Sequence, residues 1–430
     1  MRMRRQRAER PGLSADARLL IAGQGIRAVG YGFTAVLLGA LLAARGFSTG
    51  QVAAVLAALI AGTAFASLVV GAYADRVGRR RCYAVFFAGV AVAGLVVAVG
   101  APLWVLLVVA LTGTLSTDVV DNGPATTLEQ TMLAAEDAGT AAVYGRYNMV
   151  GAAAGALGAL AVTLPGLARS GTAAADRWLF AVLVPVGMAG LLIASRLSPA
   201  VEAPPGSAPA GRRARARLGK SGPVVRRMAG LFAVDAAAGG LVTTGFLSYY
   251  FSERYHVPVS ALGWLFFAVS LVQAVSVALA PRLARRFGLV ATMVGTHLPS
   301  NVLLAAVAFA PAFPVAAALL LARTTLSQMD VPTRQALVMT VVAPDERTAA
   351  AAVTNSARYT VRPVGPLIAG LVQQIALGAP LVVAGTVKAG YDAALWFWAR
   401  RLPLGGASGR GPAGAAGPAS TSASPARGGR

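Results

Sequence analysis

The chain is 430 residues long, 56% apolar and 13% charged, with a mean hydropathy of +0.65. Soluble domains carry about 25% charged residues, so a soluble globular protein is excluded and a polytopic membrane protein is implied. A net charge of +22 would suggest nucleic acid in a soluble chain, but here it follows the segments between apolar stretches and reads as a topology signal. Anionic inner-leaflet lipid, not nucleic acid, is its expected neighbour.

The first 16 residues are arginine-rich, and the apolar run after them is too long for a cleaved signal peptide, so a retained first span is expected. Stretches of roughly 20 apolar residues, enough to cross a ~30 Å hydrocarbon core, recur along the chain. They lie at 17–44, 49–74, 82–100, 103–127, 140–165, 176–196, 228–252, 260–280, 289–310, 314–333, 350–376 and 380–399. Proline marks the tight connections at Ala101-Pro102 and from Pro311 to Pro314. Between 197 and 227 the pattern gives way to SPAVEAPPGSAPAGRRARARLGKSG, which reads as a disordered linker, and the Gly/Ala/Ser/Pro-rich tail at 401–430 reads the same way.

The expected fold is therefore an all-α membrane protein of twelve transmembrane helices in two pseudo-symmetric six-helix bundles. Those bundles span 17–196 and 228–400, with the segments 1–16, 197–227 and 401–430 in the cytoplasm. On that topology most of the 38 lysines and arginines fall on cytoplasmic segments, as the positive-inside rule requires. The halves also match each other. GAYADRVG (71–78) aligns with PRLARRFG (281–288) at an offset of 210, which also pairs Gly30 with Gly240. GPATTLEQTMLAAEDAGT (123–140) aligns with VPTRQALVMTVVAPDERT (331–348) at 208, pairing Pro124 with Pro332 and Asp137 with Asp345. Parallel repeats of this kind place a substrate site between the halves, near the midplane.

Gly71, Asp75, Arg76, Gly78, Arg79, Arg80 and Arg81 crowd into the short connection between the second and third spans. The glycines are expected to let helices and loop approach closely, the arginines to hold the loop on the cytoplasmic side, and Asp75 to serve as a buried acceptor. This GAYADRVGRR stretch resembles the Gly-x-Leu-Ala-Asp-Arg-x-Gly-Arg-Lys/Arg loop of the major facilitator superfamily, with Tyr73 where leucine is usual. The resemblance covers about residues 17–400. It implies that the loop is a cytoplasmic latch that stabilises an outward-open state and must break for alternating access. ARTTLSQMD (322–330) and GPLIAG (365–370) resemble other motifs of the family, but in the tenth and eleventh spans rather than the fourth and fifth.

Charges inside spans cost about 2.5–3.5 kcal/mol on insertion scales and are functional candidates by default. Arg27 in the first span, Asp235 in the seventh and Arg323 in the tenth fall at midplane depth, with Asp118 and Asp121 further along the fourth. The resemblance implies that these four spans line a central cavity. Desolvation favours a neutral carboxyl and a neighbouring arginine an ionised one, so Asp118, Asp121 and Asp235 are candidates for proton coupling, with Asp235 best placed. The alternative is that Arg27, Asp121, Asp235 and Arg323 pair off as helix glue. Asp330 is expected to cap a break before Pro332. Arg358 and Arg362, one turn apart, are candidates for a substrate mouth, which would make an anionic substrate plausible.

Three further expectations concern structure. His297 should hydrogen-bond to Asn301, Lys388 and Asp392 should neutralise each other at i, i+4, and Tyr249, Tyr250 and Phe251 should form an aromatic belt. A single cysteine, Cys82, rules out an internal disulfide, and two histidines, His256 and His297, argue against a zinc site. No Gly-rich phosphate loop, HExxH or GxSxG beside a suitable histidine is present, so neither cofactor nor enzymatic activity is expected. The reading is a monomeric, proton-coupled secondary transporter of the inner membrane that exports a small organic molecule. The alternatives are a symporter or exchanger of an organic anion held by Arg27 and Arg323, and a non-transporting membrane sensor or scaffold.

Overall fold

The computed structural model describes residues 13–117, 123–133, 140–164, 177–202, 218–219, 221–343 and 346–400. Asp118, Asp121, Asp137, Asp345, most of the expected linker and the C-terminal tail lie outside the described residues. Helices dominate, and among the described residues seven stretches are long and apolar enough to cross a membrane. Along the first half run α1 (Ala15–Ala44), α2 (Thr49–Val77), α3 (Arg79–Ala98), α4 (Leu103–Leu111), α5 (Pro124–Leu133), α6 (Thr140–Ala161) and α7 (Leu183–Arg196), the last preceded by a 3₁₀ turn at Leu179–Val182. Along the second run α8 (Gly222–Leu241), α9 (Thr244–Tyr255), α10 (Val259–Phe287), α11 (Leu289–Val307), α12 (Phe313–Ser327), α13 (Asp330–Val341), α14 (Arg347–Val361), α15 (Val364–Val372) and α16 (Ala379–Ala399).

Local sequence accounts for many of the boundaries. Ser14 caps α1 by accepting the Ala17 N–H, and Ser48 and Gln51 form a reciprocal capping box at α2. The connection expected over 71–80 is almost entirely helical: α2 continues to Val77, α3 starts at Arg79, and Gly78 alone breaks them at φ +105°. Gly288 separates α10 from α11 in the same way at φ +87°. A side chain is strained in that backbone region, so the two glycines that the offset of 210 pairs perform the same turn. The close approach expected of Gly71 is not there, because a Cβ on it would meet open space.

Four of the twelve expected spans are broken. The fourth divides into α4 and α5 around Gly113 (φ +71°), the seventh into α8 and α9, the tenth into α12 and α13, and the eleventh into α14 and α15. The break foreseen in the tenth span is present, but Met329 is its N-cap residue, and Asp330 opens α13 as a first-turn acid.

Within the halves, α1 packs on α6 and α8 on α14. At these contacts glycine replaces side chains with backbone. A Cβ on Gly32 would lie 2.0 Å from the Gly155 carbonyl oxygen, and one on Gly365 would lie 2.4 Å from the Gly240 carbonyl carbon. Gly32 and Gly240 are 208 residues apart, so the repeat holds its first and fifth helices together by one device in both halves.

Between the halves, α1 meets α9, α6 meets α10 and α2 meets α15. The tight contacts gather towards the end that carries the 44–49 and 255–259 turns. There Gly39 lies against Gly245 and Tyr249, Gly263 against Ala159 and Thr163, and Gly370 against Ala53, while Ser248 Oγ donates to the Val36 carbonyl. Tyr249, Tyr250 and Phe251 are buried in this seal rather than forming the expected belt. Tyr250, Phe251, Tyr255 and Phe313 pack in edge-to-face and tilted pairs, and the Tyr255 hydroxyl donates to the Ala310 carbonyl at 2.9 Å. Phe65, Leu68, Trp104 and Phe309 are exposed on the outside of the bundle, as suits helices whose solvent is hydrocarbon.

Gly32→Val should cost about 1–3 kcal/mol or more, because backbone cannot yield as a side chain does. Gly71→Ala, in open space on a helix, should instead gain up to about 1 kcal/mol. Thermal unfolding of both variants in detergent checks the pair.

Candidate functional site

Each half holds a knot of buried polar groups that helix packing brings together. In the first, Arg27 on α1 is 1% exposed and Glu129 on α5 is 0% exposed, with guanidinium and carboxylate 2.8 Å apart. Arg27 Nη2 also donates to Gln24, to Thr126 Oγ1 at 3.1 Å and to the Tyr147 hydroxyl at 3.3 Å. Glu129 receives the Tyr83 hydroxyl at 2.8 Å and the Tyr147 hydroxyl at 2.5 Å. The guanidinium carbon lies 5.3 Å from the centre of the Tyr31 ring. Arg27 is thus neutralised inside its own half. Sequence reasoning missed Glu129 by ending the fourth span at 127; a lone acid in TTLEQTML, opposite the first span's only buried cation, was the signal.

The second knot gathers around Asp235 on α8, 4% exposed. Its carboxylate lies 2.5 Å from Lys388 Nζ on α16, 3.6 Å from Arg334 on α13 and 4.0 Å from His297 Nε2 on α11. Arg334 pairs more closely with Asp330, at 2.7 Å. The expected Lys388–Asp392 pairing is corrected here: Lys388 reaches across to α8, while Asp392, one turn on, faces α11. There Asp392 accepts from His297 Nδ1 at 2.8 Å and from the Asn301 amide at 2.8 Å. Asn301 Nδ2 lies 3.2 Å from His297 Nδ1 as neighbours one turn apart, but with both nitrogens donating to Asp392 the expected direct hydrogen bond is replaced by the shared carboxylate. Arg334 was not foreseen, although its spacing of four from Asp330 is that of a helical ion pair.

Arg27 and Asp235 are 208 residues apart, as are Thr126 and Arg334. The repeat therefore puts opposite charges at equivalent places. Among the described residues the expected mutual pairing of Arg27, Asp235 and Arg323 does not occur. Arg323 on α12 and Arg358 on α14 are half-buried; the Nε of each is buried with no hydrogen-bond partner, and both interact electrostatically with Asp235. Arg362 sits between α14 and α15, where its carbonyl faces Gly240.

At the end carrying Gly78, Asp75 Oδ1 accepts from Arg79 Nε at 2.8 Å. Arg79 also donates to the Val201 carbonyl at 3.1 Å, and Glu202 accepts the Arg79 and Arg80 backbone N–H groups at 2.7 and 3.2 Å. A carboxylate there complements the N-terminus of α3. None of these partners lies in the second half, Val201 and Glu202 belonging to the segment that follows α7; Arg76 is exposed, and Asp75 is half-buried rather than buried. Among the described residues no cluster of His, Cys, Asp or Glu is arranged to hold a metal.

Arg27→Met leaves the Glu129 carboxylate with hydroxyl donors alone, and breaking a buried pair costs about 3–5 kcal/mol. The double variant Arg27→Met/Glu129→Leu should recover most of that loss in thermal unfolding, whereas an equal or larger loss would show that Glu129 is neutral without Arg27.

Comparison with known proteins bears on this arrangement. An uncharacterised membrane protein of Saccharomyces cerevisiae is 28% identical over 393 residues, covering 83% of this chain and 88% of that protein. Among solved structures, a variant of the nucleoside transporter NupG superposes with a TM-score of 0.71 at 16% identity, covering 89% of this chain and 98% of that one. The xylose transporter XylE of E. coli, in an inward-open conformation, gives 0.65 at 14% identity over 88% and 96%. The human organic anion transporter TETRAN gives 0.58 at 19% over 89% and 100%. The profile of the Major Facilitator Superfamily matches residues 20–366, and with the twelve-span, two-bundle fold and its repeated turns this chain belongs to that superfamily.

Proposed function

We propose that the chain is a secondary active transporter of a small organic molecule, driven by protons through alternating access. The observation that carries this reading is Asp235, one buried carboxylate within 4.0 Å of basic groups on three other helices, Lys388, Arg334 and His297. A fixed structural pair needs one partner. A carboxylate with three can exchange them as helices shift, and protonation would remove the charge that draws α13 and α16 towards α8. Arg323, Arg358, Asp330, Asp392 and Tyr391 are the other ionisable groups around it.

With the N-terminus in the cytoplasm of a bacterial-type inner membrane, the sealed end would be external and the Gly78 end internal, as in a state closed to the outside. The Asp75–Arg79 pair held within the first half is consistent with a latch disengaged from the second. The preferred direction is export by exchange with protons, the chain working as a monomer. The alternative of an anion gripped by Arg27 and Arg323 loses Arg27, whose guanidinium is occupied by Glu129, and keeps Arg323.

The test is proteoliposomes with an interior pH dye, challenged with organic cations, neutral amphiphiles and organic anions. Asp235→Asn should abolish accumulation against a gradient yet leave exchange, which needs no net protonation cycle. Loss of both modes would make Asp235 structural or a ligand; retention of both would remove it from coupling.

Asp75→Asn should leave folding unchanged, since its half-buried pair with Arg79 contributes about 1 kcal/mol at most. It should nevertheless cut flux strongly by weakening the outward-open state. Near-normal initial rates in the same liposomes would refute the latch.

A further inference from the structure

Histidine is the side chain whose ordinary titration falls closest to neutral pH, and the second knot holds one, His297. A carboxylate only accepts, so the His297 Nδ1 contact with Asp392 Oδ1 at 2.8 Å is an N–H donation. The Asn301 amide, 2.8 Å from Asp392 Oδ2, takes the other oxygen. The Tyr391 ring packs edge-on against the imidazole, with centroids 6.1 Å apart at 89°. These contacts fix the tautomer and the ring plane, and Nε2 is left as the basic atom, 4.0 Å from Asp235 Oδ1.

That oxygen already has a holder. Lys388 Nζ lies 2.5 Å from Asp235 Oδ1, the same atom that His297 faces, whereas Arg334 stands 3.6 Å from Oδ2. An unprotonated Nε2 and a carboxylate oxygen are both acceptors, so nothing draws them together. With a proton on Nε2 the pair becomes a charge-assisted hydrogen bond, which prefers about 2.7–2.9 Å, so closing the gap takes roughly 1 Å. The backbone permits this movement. Pro299, two residues beyond His297 inside α11, has no N–H for the Gly295 carbonyl, and helices bend most readily at such points. A displaced Lys388 finds Asp392 one turn along its own helix, so the exchange strands no ammonium.

The charged and titratable groups on the elements packed against α11 are few. On α16 they are Lys388, Tyr391 and Asp392, on α13 Asp330 and Arg334, and on α12 Arg323. On α10 they are Arg282, Arg285 and Arg286, gathered at its Gly288 end, about 12 Å along α11 from His297. Arg358 on α14 acts electrostatically on Asp235. Among the described residues the carboxylates within 4.0 Å of the His297 nitrogens are Asp235 and Asp392.

We propose that His297 is the proton carrier for Asp235: a proton taken up at Nε2 makes the ring a rival of Lys388 for Asp235 Oδ1 and is then passed to that oxygen. In the transfer the Nε2–H bond breaks and an O–H bond forms on Oδ1. The ring returns to its neutral Nδ1–H form, and Asp235 becomes a neutral acid that no longer holds Lys388. The inference deepens the proton-coupled reading of Asp235 and rests on it for its place in transport, but the proton site is testable without transport.

The chain has two histidines, and His256 is exposed in the turn after α9. In the full chain carrying His256→Gln and isotope-labelled histidine, every ring-nitrogen NMR signal in detergent comes from His297. In mild alkali the spectrum should show a proton on Nδ1 and a bare Nε2, and acidification from about pH 9 to about pH 5 should add a proton to Nε2 reversibly. Asp235→Asn should weaken that proton's binding about tenfold or more, and Lys388→Gln should strengthen it by a similar factor. Asp392→Asn should give mixed tautomers. A bare Nδ1, no protonation across that range, or a titration unmoved by both Asp235→Asn and Lys388→Gln would overturn the proposal. In the pH-dye proteoliposomes His297→Gln should lose accumulation against a gradient, as Asp235→Asn does, with exchange reduced far less. Retained accumulation, or equal loss of both modes, would also overturn it. Should the unaltered chain drive no flux while the spectra follow these expectations, the transport reading falls and the proton site stands.

Discussion

Hydrocarbon gives a buried charge no solvent, so each ionised group inside the bundle has to be met by other protein atoms. In the first half the two central charges meet each other and their neighbours, with Arg27 Nε alone left without a partner: Arg27, Glu129, Tyr83, Tyr147, Gln24 and Thr126 join α1, α3, α5 and α6. The knot can form only because the helices stand close enough for short side chains to bridge them. Gly32 against Gly155 removes the side chains that would hold α1 from α6, so the ion pair and the glycine contact depend on one another.

The second half repeats the architecture with the signs exchanged. Asp235 stands where Arg27 stands and Arg334 where Thr126 stands, each 208 residues on, and Gly240 against Gly365 repeats the close helix contact. Swapping the sign at one end of a buried pair forces every neighbour to change. Lys388 and His297 therefore come in from α16 and α11, and Asp330 and Asp392 arrive to hold Arg334 and the His297 ring. The pseudo-symmetry is one of backbone and glycine placement; the chemistry of the two interiors has diverged.

Much of this was legible in the sequence, for reasons that can be stated residue by residue. Spans could be read because an apolar length is an intrinsic property of a segment. Gly78 and Gly288 could be paired because a positive φ selects glycine at both copies of the turn. Arg27, Asp235 and Arg323 stood out because charge in a span is rare. Their partners did not, because partnership is decided by helix rotation and by where spans break. Glu129 and Arg334 lie on α5 and α13, the later halves of broken spans, which run beyond the ends that hydropathy alone suggests. Lys388 was misassigned because spacing shows which residues share a face, whereas the preferred counter-charge lay on another helix. Tyr249, Tyr250 and Phe251 resembled an interfacial belt until the two halves met over them.

The contrast between the knots bears on how such a molecule can move. In the first half the central charges have ion-pair and hydrogen-bond partners that span four helices, so shifting one helix strands a charge. That half should behave as a rigid body. In the second, Asp235 is shared by Lys388, Arg334 and the His297 ring, Arg323 and Arg358 have no ion pair among the described residues, and the helices that carry Asp235 and these two arginines are divided at 242–243, 328–329 and 362–363. A divided helix can pivot without breaking its remaining backbone hydrogen bonds, and a shared carboxylate can change partners without being left alone. The seal between the halves supplies the fulcrum: Gly39 on the Gly245 backbone and Gly370 on the Ala53 methyl are close contacts that permit rolling but hold no charge. Freedom to rearrange therefore belongs to the half whose buried carboxylate is shared among several helices, while the half whose central charges are paired provides the frame against which it moves.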